Sequence, residues 1–262
     1  MSDRVLVTGA NGHVGYTLCQ HLVANGYSVR ASIRNPDNAA TASPLEALGC
    51  DIVGLDILDE SQFVAAMDGV AGTFHVAAAY KNVPKNPELE VIRPAVVGAR
   101  NAVAAAAKVG VQRLVLTSSA VAIGPGRIGE LPRTEADWND SAKLPYAIAK
   151  TRAEREAWQL AEELNVDVVS VNPPIVVGPG FHRHTESTMI FQHLIDGTFP
   201  AVPLWYASTV DARDVATGQR LAFEQADAKG RYILSHDRKT LFDLAVEACQ
   251  IDKSLKLPKR TL

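Results

Sequence analysis

The chain has 262 residues, 47% of them hydrophobic and 21% charged, a globular balance that excludes a disordered tail or a fibre. Its net charge of −3 carries no basic excess, and a dedicated nucleic-acid binder would show a basic patch or stripe, so no nucleic-acid partner is expected. Cys19, Cys50 and Cys249 lie far apart with no CxxC pair, which argues for free thiols in a reducing cytosol rather than a disulfide framework or zinc knuckle. Residues 1–4 run straight into an apolar strand pattern with no leader-like segment. No run approaches the ~18 apolar residues of a membrane span. A cytoplasmic protein with no membrane partner is the expectation. Along the chain, short Val/Ile/Leu-rich runs at 5–7, 28–33, 51–55, 72–76, 113–117 and 166–171 predict strands buried on both faces. Helical patterns fall between them at 13–24, 43–48, 61–67, 91–109 and 146–164, with Asp59-Glu60-Ser61 as a helix start and Gly26 and Gly110 as stops. This alternation predicts an α/β fold with a doubly wound parallel sheet. After Pro173 the rhythm breaks at a Gly/Pro/His-rich loop over 178–184. Helices near 187–195, 213–224 and 241–249 and a short strand at 232–234 follow.

The first strand leads into Thr8-Gly9-Ala10-Asn11-Gly12-His13-Val14-Gly15 and then a helix. Gly9 permits a tight turn, Gly12 lets the backbone approach a pyrophosphate, and Gly15 lets helix and strand pack closely. The helix N-terminus offers N–H donors to phosphate. A glycine triplet alone can be a plain turn, but the strand before and helix after point to dinucleotide binding. An NAD site usually ends its second strand with an acid for the ribose 2′-OH. Residues 28–36 contain no acid and include Arg34, so Arg34 is read as a 2′-phosphate ligand and NADP is favoured over NAD. The alternative is a solvated surface arginine.

Tyr146 and Lys150 stand four apart, on one helix face and one turn from each other. A lysine cation beside a phenol favours the phenolate and lowers the tyrosine pKa from about 10. Such a tyrosine can pass a proton to or from a carbonyl oxygen near neutral pH. The alternative is a surface pair. The fifth strand turns abruptly polar at Thr117-Ser118-Ser119, at the carboxyl end where doubly wound sheets bind ligands. Ser119 can orient a substrate oxygen toward Tyr146, or it can simply cap a turn. His182, His184 and Glu186 sit in the Gly-rich loop without the spacing of a helical HExxH pair, so no metal is expected. His75 reads as a satisfied interior histidine, and the alanines at 104–107 as a closely packed helix face. Trp205 and Tyr206 line a substrate pocket or fill a small core, and Tyr80 and Lys81 are outside candidates for substrate contact.

The Thr8 to Gly15 loop, the Ser118-Ser119 strand end and the Tyr146/Lys150 pair together resemble the extended short-chain dehydrogenase/reductase superfamily, whose fold is the NAD-dependent epimerase/dehydratase type of Rossmann fold. The stretches 26–36, 90–95, 172–179 and 210–216 resemble its dihydroflavonol reductase/cinnamoyl-CoA reductase-like branch of NADP-dependent carbonyl reductases. The resemblance implies that Tyr146 is the general acid, Lys150 its partner and a ribose ligand, and Ser119 the carbonyl orienter. It implies a phosphate cradle of Gly9, Asn11, Gly12, His13, Val14 and Gly15, and places Arg34 on the 2′-phosphate. Asp56 and Ile57 would sit by the adenine, and Val76, Ala77, Ala78 and Thr117 would line the cofactor. Pro173, Pro174, Ile175 and Val176 would border the nicotinamide.

Members of the branch that reduce flavonoids have an Asn where Gly124 stands, and the cinnamoyl-CoA signature around the Tyr146/Lys150 pair is absent. The second 2′-phosphate lysine of plant members is missing from 37–41. The expected activity is therefore broader: NADPH-dependent reduction of an aldehyde or ketone, reversible as an alcohol dehydrogenase, with a small-molecule carbonyl or alcohol as partner and a homodimer left open. Residues 1–172 are read as the NAD(P)-binding Rossmann domain and 173–262 as a small C-terminal substrate-binding lobe with segments returning to it. One alternative is a nucleotide-sugar epimerase or dehydratase with bound NAD, which normally shows the missing acid. Another is a non-catalytic dinucleotide-binding regulator, which commonly loses the Tyr/Lys pair.

Overall fold

The computed structural model describes residues 3–78, 84–126, 129–180, 189, 192–193, 196, 198, 201–202 and 206–255. Tyr80, Lys81, His182, His184, Glu186, Trp205 and most of the helix read over 187–195 lie outside the described residues. The chain runs β1 (Arg4–Thr8), α1 (His13–Ala24), β2 (Ser28–Ile33), α2 (Ala39–Ala47), β3 (Asp51–Gly54), α3 (Glu60–Met67) and β4 (Gly72–His75). A π-helical turn (Glu88–Ile92) then leads into α4 (Arg93–Val109), β5 (Arg113–Thr117), α5 (Ala120–Ile123), α6 (Pro145–Leu164), β6 (Val168–Asn172) and β7 (Ile175–Val177). The last elements are β8 (Tyr206–Asp211), α7 (Ala212–Glu224), β9 (Gly230–Ile233), β10 (Asp237–Thr240) and α8 (Leu241–Ile251).

Seven strands form one sheet in the order β3-β2-β1-β4-β5-β6-β9, and every pair in it is parallel. The strand order reverses between β1 and β4, which opens a crevice at their carboxyl ends. Val5, Leu6 and Val7 of β1 are fully buried, because helices cover both faces of the sheet. One face packs α1, α2 and α7 around Leu18, Leu22, Phe74 and Phe223. Fully burying a leucine such as Leu22 contributes roughly 1.5–3 kcal/mol. The other face packs α3, α4 and α6 around Phe63, Met67 and Leu114. Ala102, Ala105 and Ala106 of α4 and Ala157 and Ala161 of α6 are buried there; their small side chains let the two helices lie close together and against the sheet.

Local chemistry sets the element ends. Asp59 caps α3 by accepting the Ser61 and Gln62 N–H groups at 2.9 and 3.3 Å. The second helix starts at Ala39, ahead of the predicted 43, because Asn38 caps it by accepting the Ala40 N–H at 3.1 Å. The helix predicted from 91 opens as the π-helical turn, and Pro94 stands in the first turn of α4, where its missing N–H is tolerated.

A second, three-stranded sheet has the order β10-β8-β7. Its strands are absent from the sequence reading, which is a correction. β7 is only three residues long and lies between Pro174 and Gly178. β10 is Asp-Arg-Lys-Thr, with no apolar alternation to reveal it. The strand predicted at 232–234 forms as β9 and joins the large sheet beside β6. Thr240 and Asp243 form a reciprocal capping box that starts α8, and Leu241 and Ala245 bury a small core with Val202 and Ala207. No helix of the described residues is long and apolar enough to cross a membrane, and the three cysteines are free.

Candidate active site

The glycine loop closes the carboxyl end of β1. Gly9 has φ +64, and a Cβ there would lie 2.8 Å from the Ala77 Cα. A Cβ on Gly15 would lie 2.3 Å from the Gly9 carbonyl oxygen. Both positions therefore require glycine, one by backbone conformation and both by contact. Gly12 precedes helix α1 and gives it no side-chain cap, and the helix N-terminus at Gly12 and His13 lines the cleft, where its dipole favours an anion.

Thr8 ties this loop to the next strand. Its hydroxyl accepts the Val76 and Ala77 N–H groups, both at 3.1 Å, and lies 2.9 Å from His75 Nδ1. An oxygen that accepts twice has its own proton to give, so it donates to Nδ1 and the imidazole proton sits on Nε2. Burial, with the nearby Lys150 charge, pushes the His75 pKa down to about 3. The ring stays neutral and packs edge-on against Phe63 at 5.6 Å. His75 is thus a neutral interior residue held by Thr8.

An open cleft of about 1380 Å³ runs along the crevice. Gly9, Asn11, Gly12, His13, Val14, Gly15, Arg34, Ile57, Val76, Ala77, Ala78 and Thr117 line it, as do Ser119, Tyr146, Lys150, Pro173, Pro174, Ile175 and Val176. Among the described residues assigned to the site from the sequence, Asp56 alone does not. Its carboxylate accepts the Leu58 N–H at 3.0 Å and its own N–H donates to Gln62 at 2.8 Å, so both groups serve the turn before α3.

Tyr146 and Lys150 share one face of α6. The Lys150 ammonium is buried and donates to the Thr117 carbonyl at 2.9 Å. Burial pushes its pKa down to about 8, against the opposing pull of the Glu154 carboxylate. Ser119 caps α5, accepting the Val121 N–H at 3.4 Å. Its hydroxyl points at the Pro173 carbonyl at 3.4 Å, a long hydrogen bond that is readily exchanged for a better acceptor. The capping alternative holds for this serine, which also lines the cleft.

Sequence reasoning missed the floor beneath Lys150. Glu154 is fully buried; its carboxylate accepts from Ser118 Oγ at 2.6 Å and Asn172 Nδ2 at 3.0 Å. Arg231 of β9 reaches it through Nε at 2.8 Å and Nη2 at 3.2 Å. The same guanidinium donates to the Glu135 and Asp137 carbonyls and lies 3.7 Å from the Trp138 ring centre. Glu154 continues the Tyr146/Lys150 row by one more helical turn, a signal that was legible. A chamber of about 20 Å³ lies among His75, Ser118, Lys150 and Glu154, room for one water molecule in polar surroundings. The unread strands supply the opposite wall: Tyr206, Ala207 and Ser208 of β8 and Arg238 of β10 line the cleft.

The glycine loop lines the cleft at the N-terminus of α1, and β2 is followed by exposed Arg34 with no acid before it, so NADP is the cofactor these residues fit. Fold and loop together define a dinucleotide-dependent enzyme of the doubly wound class. The model of the NAD dependent epimerase/dehydratase family matches residues 5–234, and the chain belongs to that family, in the reductase branch of the extended short-chain dehydrogenase/reductases. Similar curated proteins include cinnamoyl-CoA reductase CAD2 of Medicago truncatula, 32% identical over 99% of this chain and 84% of its own. The bifunctional dihydroflavonol 4-reductase/flavanone 4-reductase of Malus domestica is 31% identical over 93% and 74%. The crystal structure of gox2253 superposes with a TM-score of 0.87 at 30% identity, over all of this chain and 78% of that one. Yeast methylglyoxal/isovaleraldehyde reductase Gre2, complexed with NADPH, shares the fold with a TM-score of 0.88 at 24% identity over 98% and 86%. The chain is accordingly an oxidoreductase.

Proposed function

We propose that the protein is a carbonyl reductase that converts an aldehyde or ketone to its alcohol, and runs in reverse as an alcohol dehydrogenase. The observation that carries this reading is that Ser119, Tyr146 and Lys150 line the same cleft as the glycine loop and Arg34. The loop residues Gly9 to Gly15 hold the pyrophosphate and Arg34 the 2′-phosphate. Ile57 borders the adenine, with Asp56 acting through the turn it ties. Val76, Ala77, Ala78 and Thr117 line the dinucleotide, and Pro173 to Val176 border its nicotinamide end. NADPH, when bound, supplies the hydride. Tyr146 donates its phenolic proton to the carbonyl oxygen, and the Ser119 hydroxyl donates a hydrogen bond that orients the same oxygen. The Lys150 ammonium favours the phenolate left on Tyr146. Residues 1–172 supply the dinucleotide side and 173–262 the substrate side, and free thiols with NADPH chemistry suit the cytoplasm.

Tyr146→Phe tests the reading. Turnover of NADPH with an aldehyde and ketone panel is expected to fall by about 10²–10⁴, while NADPH still binds, as followed by the cofactor's fluorescence. Near-wild-type turnover in the variant overturns the proton role.

A further inference from the structure

The charged side chains that line the cleft are all of one sign. They are Arg34, Lys143, Lys150 and Arg238, and no aspartate or glutamate is among the described lining residues. Lys150 serves the proton chemistry proposed above and Arg34 the cofactor phosphate. Lys143 and Arg238 are left over. They approach from separate walls: Lys143 stands three residues before Tyr146 on the segment entering α6, and Arg238 lies on β10, in register with the cleft residue Ser208 of β8.

Their neighbours do not neutralise them. Asp140 pairs with Arg155 at 2.7 Å, and Asp237 with Lys239 at 3.4 Å. Glu247 is also taken by Lys239, at 2.6 Å. Neither Lys143 nor Arg238 forms an ion pair among the described residues. Arg238 is also held in place, with its guanidinium over the Tyr206 ring at 4.6 Å. A guanidinium held over a ring by its charge still has N–H donors to offer an oxyanion. A cleft of one charge sign also concentrates anionic ligands.

We propose that the substrate is an anionic carbonyl compound, whose carboxylate or phosphate is bound by Arg238 and Lys143 while its carbonyl meets Tyr146. This rests on the carbonyl reductase reading. The test uses two matched pairs with NADPH: para-carboxybenzaldehyde against its methyl ester, and glyceraldehyde phosphate against glyceraldehyde. At low salt, the charged member of at least one pair is expected to exceed its neutral partner by about tenfold or more in kcat/KM, as charge-assisted hydrogen bonds allow. Added salt should shrink that ratio, and Arg238→Gln and Lys143→Gln should each bring it toward one through KM. A preference confined to one pair identifies carboxylate or phosphate as the group. Equal rates within both pairs, or a charge preference that survives both substitutions, overturn the proposal while the turnover itself upholds carbonyl reduction. No NADPH oxidation with any of the four overturns the reductase reading and this one with it.

Discussion

Beneath Lys150, Ser118, Asn172 and Arg231 converge on the fully buried carboxylate of Glu154. At the mouth, Arg34, Lys143 and Arg238 stand exposed, with no acid beside them among the described lining residues. The two regions use charge in opposite ways. In the floor every charge has a partner inside the protein, because an unpaired buried ion is prohibitively unstable. At the mouth water solvates the cations, so their charge stays available to a ligand. The floor holds geometry and the mouth selects what enters.

Breaking the floor should have the largest effect. Glu154→Ala leaves Arg231 buried without its partner and is expected to cost about 3–5 kcal/mol of folding stability by denaturant titration. A loss below about 1 kcal/mol, the range of exposed ion pairs, would show that the floor is not the pinned region described. Next in size is the Tyr146→Phe loss of turnover, which separates chemistry from binding.

A subtler test uses Lys150. Its pKa in the fold is lowered to about 8, below the roughly 10.4 of an exposed lysine. Between those values the unfolded chain binds more protons than the native one, so this lysine's contribution makes stability rise with pH across that window. Lys150→Met should therefore flatten the pH dependence of unfolding between about pH 8 and 10 relative to wild type. In wild type, kcat/KM should fall as pH rises through about 8, as the ammonium is lost. Parallel stability curves in the two proteins would place Lys150 in a more solvated setting. The smallest effect is expected at the mouth. Arg34→Ala should raise the KM for NADPH about tenfold and leave that for NADH nearly unchanged. Equal shifts for both cofactors would remove Arg34 from the 2′-phosphate.

The large sheet was legible because its strands are short runs of apolar residues; β2 and β5 fall at 28–33 and 113–117 as their patterns indicate. The glycine loop and the Tyr146/Lys150 face were legible because their chemistry is local, set by spacing along a turn or a helix. β8 and β10 were not: a strand of Asp-Arg-Lys-Thr is specified by its partner rather than by its own periodicity. Arg231 left no local trace either. It reaches Glu154 only because β9 returns to pair with β6, a long-range event that no window of sequence contains. Ser208 and Arg238 of the cleft wall went unread with those strands, whereas Tyr206, read as a pocket or core residue, does line the cleft.

The hydroxyl of Thr8 holds both the Val76 and Ala77 amides, and Gly9 lies too close to Ala77 for any side chain to intervene. The phosphate loop and the segment after β4 are thus a single mechanical unit built from two distant stretches of sequence. Anyone transplanting a phosphate loop from another dehydrogenase to change the coenzyme would have to keep a hydroxyl at position 8 and glycine at position 9 for the segment after β4. A graft without a hydroxyl at position 8 would strand two amides, and one without glycine at position 9 would jam against the Ala77 backbone.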